Sequence, residues 1–570
     1  MKAQFPHAVR SGWTVTDFFG GLSKHKAGLE LYGLSTLLLT TVLWSILGSV
    51  IQASNADQLV DSYLFESSET FSGATFPIQH TFLLKWPVFW LQSLIGLNHL
   101  SFVLSTVFVV LATVIGLILL IRRIERRSSV RGLIYLGLSS VLLMTPTVPY
   151  SGALLPTNFA MLTTRNVEYL VYIFAVLLII KSKSLGSRQF IGGTLILWVL
   201  FLSDGLFPPL SIGGAALVFA ASFVYKKFSL RSFALKWLTA GIVAYGVSLI
   251  ALKILAWVLP GRFNGDSSPY SFISTIHDAG LAILYAVLGL LTNYGANPVH
   301  ESRTLSEIPH TFASEMMSGK FFGYLINILL FFLAVFAICM LLRLVFRQKQ
   351  TGEERRIIID SNMTILAVAL IASSAVAFAI FNTTKHYYLV DSRYLTIFLF
   401  AGVITTALMF STKQIPFKYV QIGAICLTLA VLSGVYASVT SYHDNKRVNT
   451  EISERNEMIA TVLSRKKVDV LVGDYWRVLP IKLASQNQQK VMPLATCTVP
   501  RNVLTSSAWQ PDLKSVSFAY LLSYDGSASD YPLCSLQDVT TAFGKPSYIE
   551  VIRGRAENPI EVLLLYNSTR

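Results

Sequence analysis

The chain has 570 residues, 53% hydrophobic and only 14% charged, with a mean hydropathy of +0.56. Soluble domains carry roughly 25% charged residues, so the composition excludes a soluble globular enzyme, a disordered regulator and a disulfide-built scaffold. Lys and Arg outnumber Asp and Glu by 46 to 31, but residues 441–570 hold 15 basic and 13 acidic residues; most of the excess charge lies in short loops between apolar runs, where it reports topology and not a nucleic-acid partner.

Residues 1–30 carry Lys2, Arg10, Lys24 and Lys26. They show no small-residue cleavage pattern, so the segment reads as a basic cytoplasmic flank and not as a secretory signal. Apolar runs then follow at 31–52, 101–121, 132–146, 167–182, 189–204, 210–225, 236–258, 321–346, 358–381, 392–411 and 417–438. Each is taken as a membrane span of an α-helical polytopic protein. The run at 281–291 is too short to cross and is expected to be re-entrant or interfacial. Eleven spans place Lys/Arg-rich loops at 122–131, 181–188, 226–236, 343–356 and 413–418 on one side. By the positive-inside rule that side is cytoplasmic. The N-terminus is then inside, and 441–570 forms an extracytoplasmic domain attached to a membrane domain of residues 1–440.

The loops expected outside are the long ones, at 53–100, 147–166 and 259–320. The first opens with Asp57 and Asp61, four apart and therefore on one helix face. A carboxylate pair at the membrane boundary suits a general base or a cation ligand; a solvated acidic loop is the plainer alternative. His80 follows, and then 82–97, apolar but interrupted by Lys85, Pro87 and Gln92 and containing Trp86 and Trp90. This reads as an outer interfacial helix, broken at Pro87.

Arg165 stands against the charge bias, beside Glu168 at the start of the fourth span. Its guanidinium fork suits phosphate oxygens, and a snorkelling arginine is the other reading. Asp204 closes the fifth span and either faces a cavity or caps the next helix. Lys385, His386, Arg393 and Tyr394 gather cations, a histidine and aromatics in a further outer loop, a candidate site for a lipid-linked phosphate. In the tail, 450–463 has helical spacing, and 468–472, 517–522, 548–552 and 561–566 read as strands of a small α/β domain. Cys497 and Cys534 are its only cysteines, and an oxidising exterior permits their pairing; two free thiols are the alternative. Nucleotide-loop, dinucleotide-fold and HExxH zinc motifs are absent from the sequence.

This layout resembles the GT-C glycosyltransferases, a superfamily that includes protein mannosyltransferases, lipid A aminoarabinose transferase and oligosaccharyltransferase catalytic subunits. The resemblance covers the whole chain. It implies a glycosyltransferase that moves a sugar from a polyprenyl-phosphate donor to a glycan, lipid or protein acceptor at the outer face of the plasma membrane. By position, Asp57 would be the catalytic base or a metal ligand, with Asp61 beside it. Arg165, Lys385 and Arg393 would hold the donor phosphate. Some members carry an Asp-Glu pair where this chain has Asp57-Gln58, and the 146–165 loop has no acidic residue, so a divalent cation stays open as a cofactor but is not favoured. Two other classes stay open: a transporter or flippase of lipid-linked sugars, pointed to by Lys253 within a span, and a non-catalytic envelope assembly protein using Asp474, Tyr475 and Trp476 as a sugar-stacking patch.

Overall fold

The computed structural model describes residues 26–52, 56–66, 73–77, 83–144, 148–150, 153–155, 165–258, 263–264, 272–299, 305–347, 362–384, 393–412, 415–523, 534–552 and 561–567. It is a multi-pass helical membrane protein. Eight helices are long and apolar enough to cross a bilayer: Leu100–Ile124, Phe207–Val224, Phe228–Val258, Ile276–Asn293, Phe321–Phe346, Asn362–Phe381, Arg393–Ser411 and Phe417–Thr440. Shorter apolar helices at Ala27–Leu43, Ser128–Met144 and Arg188–Ser203, and Asn166–Lys181, pack in the same bundle. Side chains such as Ile242, Ile250 and Trp257 remain exposed, as expected where lipid is the solvent.

Polar contacts mark the two ends of the bundle. At one end Glu30 pairs with Arg122 and Arg131, Arg127 donates to the Phe410 carbonyl, and Lys236 Nζ donates to the Ser182 carbonyl at 2.6 Å. The 122–131 turn therefore lies beside the start of the first helix and the end of Arg393–Ser411, and the 181–188 and 226–236 loops lie beside each other. The other end carries the C-terminal sheet. The first helix, Lys26–Gln52, packs closely on Ser128–Met144 through two glycines. A Cβ on Gly33 would lie 2.4 Å from the Gly132 carbonyl oxygen, and one on Gly132 2.4 Å from that of Leu29. Small residues permit this backbone approach.

The segment expected at 281–291 is a longer helix, Ile276–Asn293. Its length would allow it to cross, but its contacts place both ends at the sheet-bearing end. Just before it, the Ile273 amide donates to the Thr383 carbonyl, beyond the end of Asn362–Phe381. Just after it, Gly295, at φ +59°, packs against Val141 and Met144 where Ser128–Met144 ends. The helix thus returns to the end it left, and eleven other helices alternate between the two ends among the described residues.

The tail forms a five-stranded sheet in the order Lys490–Leu494, Val470–Asp474, Phe518–Ser523, Glu561–Tyr566, Tyr548–Ile552. The first three strands are parallel neighbours and the last two are antiparallel to theirs. Val470, Leu471 and Val472 are all buried, as a strand covered on both faces requires. Two differences from the sequence reading stand out. The strand Lys490–Leu494 had no expected counterpart, and the helix at 450–463 is not separate. One helix runs from Phe417 to Arg465, 49 residues, and carries the last span directly into the sheet. A second, small sheet pairs Ala74–Pro77 with Phe263–Asn264 and with Thr505–Ser506, tying two membrane-domain loops to the tail.

Cys497 and Cys534 are disulfide-bonded, with Cα atoms 5.1 Å apart and a sequence separation of 37. Closing such a loop restricts the unfolded chain by about 3–4 kcal/mol in the entropy model. Paired Cys497→Ser and Cys534→Ser substitutions should lower the denaturant midpoint of the tail domain, and an unchanged midpoint would show that the bond constrains nothing. The alternation of the helices also predicts opposite accessibility. Of cysteines placed at Lys514 and at Arg126, one should react with a membrane-impermeant thiol reagent in intact cells and the other should not; equal labelling would overturn the crossing pattern.

Candidate functional site

The candidate site forms where five segments meet at the sheet-bearing end. The helix Ala56–Glu66 starts four residues after the first span. Leu59, Val60, Tyr63 and Leu64 are buried in one cluster with Tyr475, Val478 and Leu479 of the tail helix Tyr475–Ala484. Polar contacts reinforce that seat: the Tyr63 hydroxyl donates to Asn487 Oδ1 at 2.8 Å, and Asn487 Nδ2 donates to the Leu97 carbonyl at 3.0 Å. Ser62 Oγ donates to Gln92 Oε1 at 2.6 Å, so the helix is also fixed to the outer segment 83–95.

That outer segment is a 3-10 turn, Leu83–Lys85, followed by the helix Trp86–Ile95. Pro87 does not break it. It sits in the first turn, where the missing N–H has no helical partner to lose. The turn delivers Lys85 into the interior, where its side chain is 1% exposed and its Nζ lies 3.3 Å from Oε1 of the equally buried Glu168. Asp61, also buried, acts electrostatically on the same ammonium. Burial pushes the Lys85 ammonium below the ordinary lysine range, and Glu168 and Asp61 oppose that shift.

Arg165 stands at the start of the helix Asn166–Lys181. Its Nε lies 2.5 Å from Asp204 Oδ2 and its Nη2 donates to Asp204 Oδ1 at 3.3 Å. Asp204 Oδ1 also accepts from the Leu206 amide at 2.8 Å, so the residue both pairs with Arg165 and caps the following turn. The Arg165 guanidinium lies 4.8 Å from the centre of the Tyr394 ring, and that of Arg393 lies 5.3 Å from it. The Tyr169 hydroxyl donates to the Arg393 carbonyl at 3.4 Å, and the Leu84 amide donates to Ser203 Oγ at 3.3 Å.

Three cations, Lys85, Arg165 and Arg393, and three carboxylates, Asp61, Glu168 and Asp204, therefore gather at the mouth of the bundle. Taking an ion out of water costs several kcal/mol even after relaxation, and near-balanced charge offsets that cost. Such a set can exchange partners when an anion arrives: a cation can leave its carboxylate for a phosphate, and the released carboxylate can accept a proton. Among the described residues no group of three or more His, Cys, Asp and Glu side chains is placed to hold a metal ion.

Of the residues singled out in the sequence, Asp61, Arg165, Glu168, Asp204, Arg393 and Tyr394 come together here. Asp57 lies one turn before Asp61 on the same helix; its side chain is outside the described residues, as are His80, Lys385 and His386. Lys85 was the omission. A lysine within Leu83-Leu84-Lys85-Trp86 is as costly as Arg165 in its own setting, and that was the available signal. Tyr475 does not form a sugar-stacking surface. It is 1% exposed, and Arg501 covers its ring at 3.8 Å.

No protein-family model matches the sequence, and no characterised protein is a significant sequence match. The chain is similar to two crystal structures of ArnT from Cupriavidus metallidurans. The apo form shares 13% identity at a TM-score of 0.39, over 94% of this chain and 98% of that one. The form bound to undecaprenyl phosphate shares 12% at 0.41, over 94% and 97%.

The buried pair supplies a stability prediction. Lys85→Met strands the Glu168 carboxylate and Glu168→Gln removes the carboxylate paired with the ammonium; each should cost about 3–5 kcal/mol, read as a drop in the thermal midpoint of the purified protein. The double variant Lys85→Met/Glu168→Leu should recover much of that loss. Single variants as stable as the parent would show that the two charges do not depend on each other.

Proposed function

We propose that this protein is a membrane glycosyltransferase that moves a sugar from a polyprenyl-phosphate donor to an acceptor hydroxyl. The reading rests on one observation: Asp61, Lys85, Glu168, Arg165, Asp204, Arg393 and Tyr394 converge at the sheet-bearing end of the helix bundle from five segments of the chain. A lipid-linked donor needs no nucleotide site, and the sequence carries no recognised nucleotide motif. A lipid-linked donor keeps its tail in the bilayer and presents its phosphate at the height of this cluster.

In this reading the acceptor oxygen attacks the anomeric carbon as the bond from that carbon to the phosphate oxygen breaks. The phosphate leaves with the electron pair. Lys85, Arg165 and Arg393, with Lys385 from the adjoining loop, neutralise the developing charge. A carboxylate of the Ala56–Glu66 helix, Asp57 or Asp61, takes the acceptor proton. Asp61 is the better supported of the two, because its buried side chain acts on Lys85. Tyr394, between two guanidinium groups, positions them. The cluster-bearing end faces the exterior of the plasma membrane and the basic loops face the cytoplasm, on the charge rule. Residues 441–570 act as an outer domain that holds the Ala56–Glu66 helix over the cluster.

The test is transfer of a labelled polyprenyl-phosphate sugar by the full chain in proteoliposomes. Asp61→Asn keeps the shape and removes the proton acceptor. It should slow transfer by about 10²–10⁴ while donor binding persists. Loss of transfer in Asp57→Asn alone would move the base one turn along the helix. If neither substitution slows transfer by more than a few-fold, the cluster is not a transferase centre.

A further inference from the structure

At the end opposite the sheet, a cavity of about 450 Å³ lies between the first helix and the 122–131 turn, lined by Ala27, Glu30, Leu31, Leu34, Arg122 and Arg131. Its two arginines are held very differently. Arg131 is locked: its Nε and Nη2 donate to the two Glu30 carboxylate oxygens at 2.9 and 2.5 Å, and its Nη1 donates to the carbonyls of Glu125 and Arg126. Arg122 reaches Glu30 by one contact of 3.4 Å, and its side chain is 47% exposed.

The cavity wall continues into the bilayer. On the first helix every fourth residue, Leu31, Ser35, Leu39 and Leu43, is exposed, giving a mostly apolar stripe that starts at the cavity. Five arginines, at 122, 123, 126, 127 and 131, surround this turn. Among the described residues the carboxylates nearby are Glu30 and Glu125, engaged by Arg131 and Arg127 with double hydrogen bonds. Net positive charge therefore remains at headgroup height, next to an apolar track.

We propose that this cavity binds an anionic glycerophospholipid of the leaflet at the basic end. Its phosphodiester pairs with Arg122, and one acyl chain lies along the Leu31–Leu39 stripe. A basic pocket between membrane helices recognises lipid in this way. The site is separate from the cluster at the sheet-bearing end and stands whether or not that cluster transfers sugar.

The experiment uses the full chain in neutral detergent, with lipid occupancy read by native mass spectrometry and the thermal midpoint followed in parallel. The probes are dioleoyl phosphatidylglycerol, phosphatidylcholine with the same chains, and soluble glycerophosphoglycerol. Phosphatidylglycerol should bind and raise the midpoint more than the other two. Arg122→Gln should weaken its binding about fivefold, the effect of one interfacial cation. Arg122→Lys should restore most of it, and Arg123→Gln, which removes an equal charge outside the cavity, should change it less than twofold. Equal binding of phosphatidylcholine would overturn the charge requirement. Equal stabilisation by the soluble headgroup would overturn the acyl contact. Unchanged binding in Arg122→Gln, or an equal loss in Arg123→Gln, would overturn the site itself.

Discussion

The arrangement at the mouth of the bundle depends on the burial of Lys85 against Glu168. An ammonium and a carboxylate, each 1% exposed, persist at this depth only because each compensates the other and because Asp61 adds to the field around the ammonium. Replacing both with apolar residues of similar volume would often leave a protein as stable or more so. Retaining them is therefore a cost that packing alone does not explain, and it fits a site whose charges must change partners. The Arg165–Asp204 pair repeats the pattern on the neighbouring helices, and Tyr394 joins it to Arg393.

The outer elements serve that buried pair. Lys85 reaches the interior because a 3-10 turn ends at it and Pro87 then starts a helix without requiring a donor. That helix is fixed to Ala56–Glu66 through Ser62 and Gln92, and Ala56–Glu66 is fixed to the tail through Tyr63 and Asn487. The position of Asp61 therefore depends on residues more than 400 positions away in sequence. The buried Glu561, paired with Arg455 and Arg477, holds the final strand to the long helix and keeps the tail in register.

Much of this was legible in the sequence. Long apolar runs reveal helices because the bilayer imposes length, and loop charge orders them. Arg165, Asp204 and Arg393 drew notice because a charge beside hydrocarbon is costly. Lys85 escapes because it reads as one more polar interruption of an interfacial helix, and nothing local shows that a turn will bury it. Pro87 was read as a break because a proline is tolerated or disruptive according to its place in the helix, which the residue alone does not state. The length of Phe417–Arg465 was missed for a different reason. Hydropathy falls beyond Thr440 although helicity does not, so a change of solvent resembles the end of an element.

That long helix has a mechanical consequence. About 25 residues project beyond the apolar segment, a stiff arm of roughly 37 Å at 1.5 Å per residue. A membrane helix accommodates a thicker or thinner hydrocarbon layer by changing its tilt. With no hinge between the span and the arm, a tilt of about 5° would swing the far end of the arm by roughly 3 Å, comparable to the length of one hydrogen bond. The strand pairing at Ala74–Pro77 and the seat of Tyr63 on Asn487 would resist that swing. Bilayer thickness thereby becomes a force on the cover of the buried cluster, transmitted by a single uninterrupted rod.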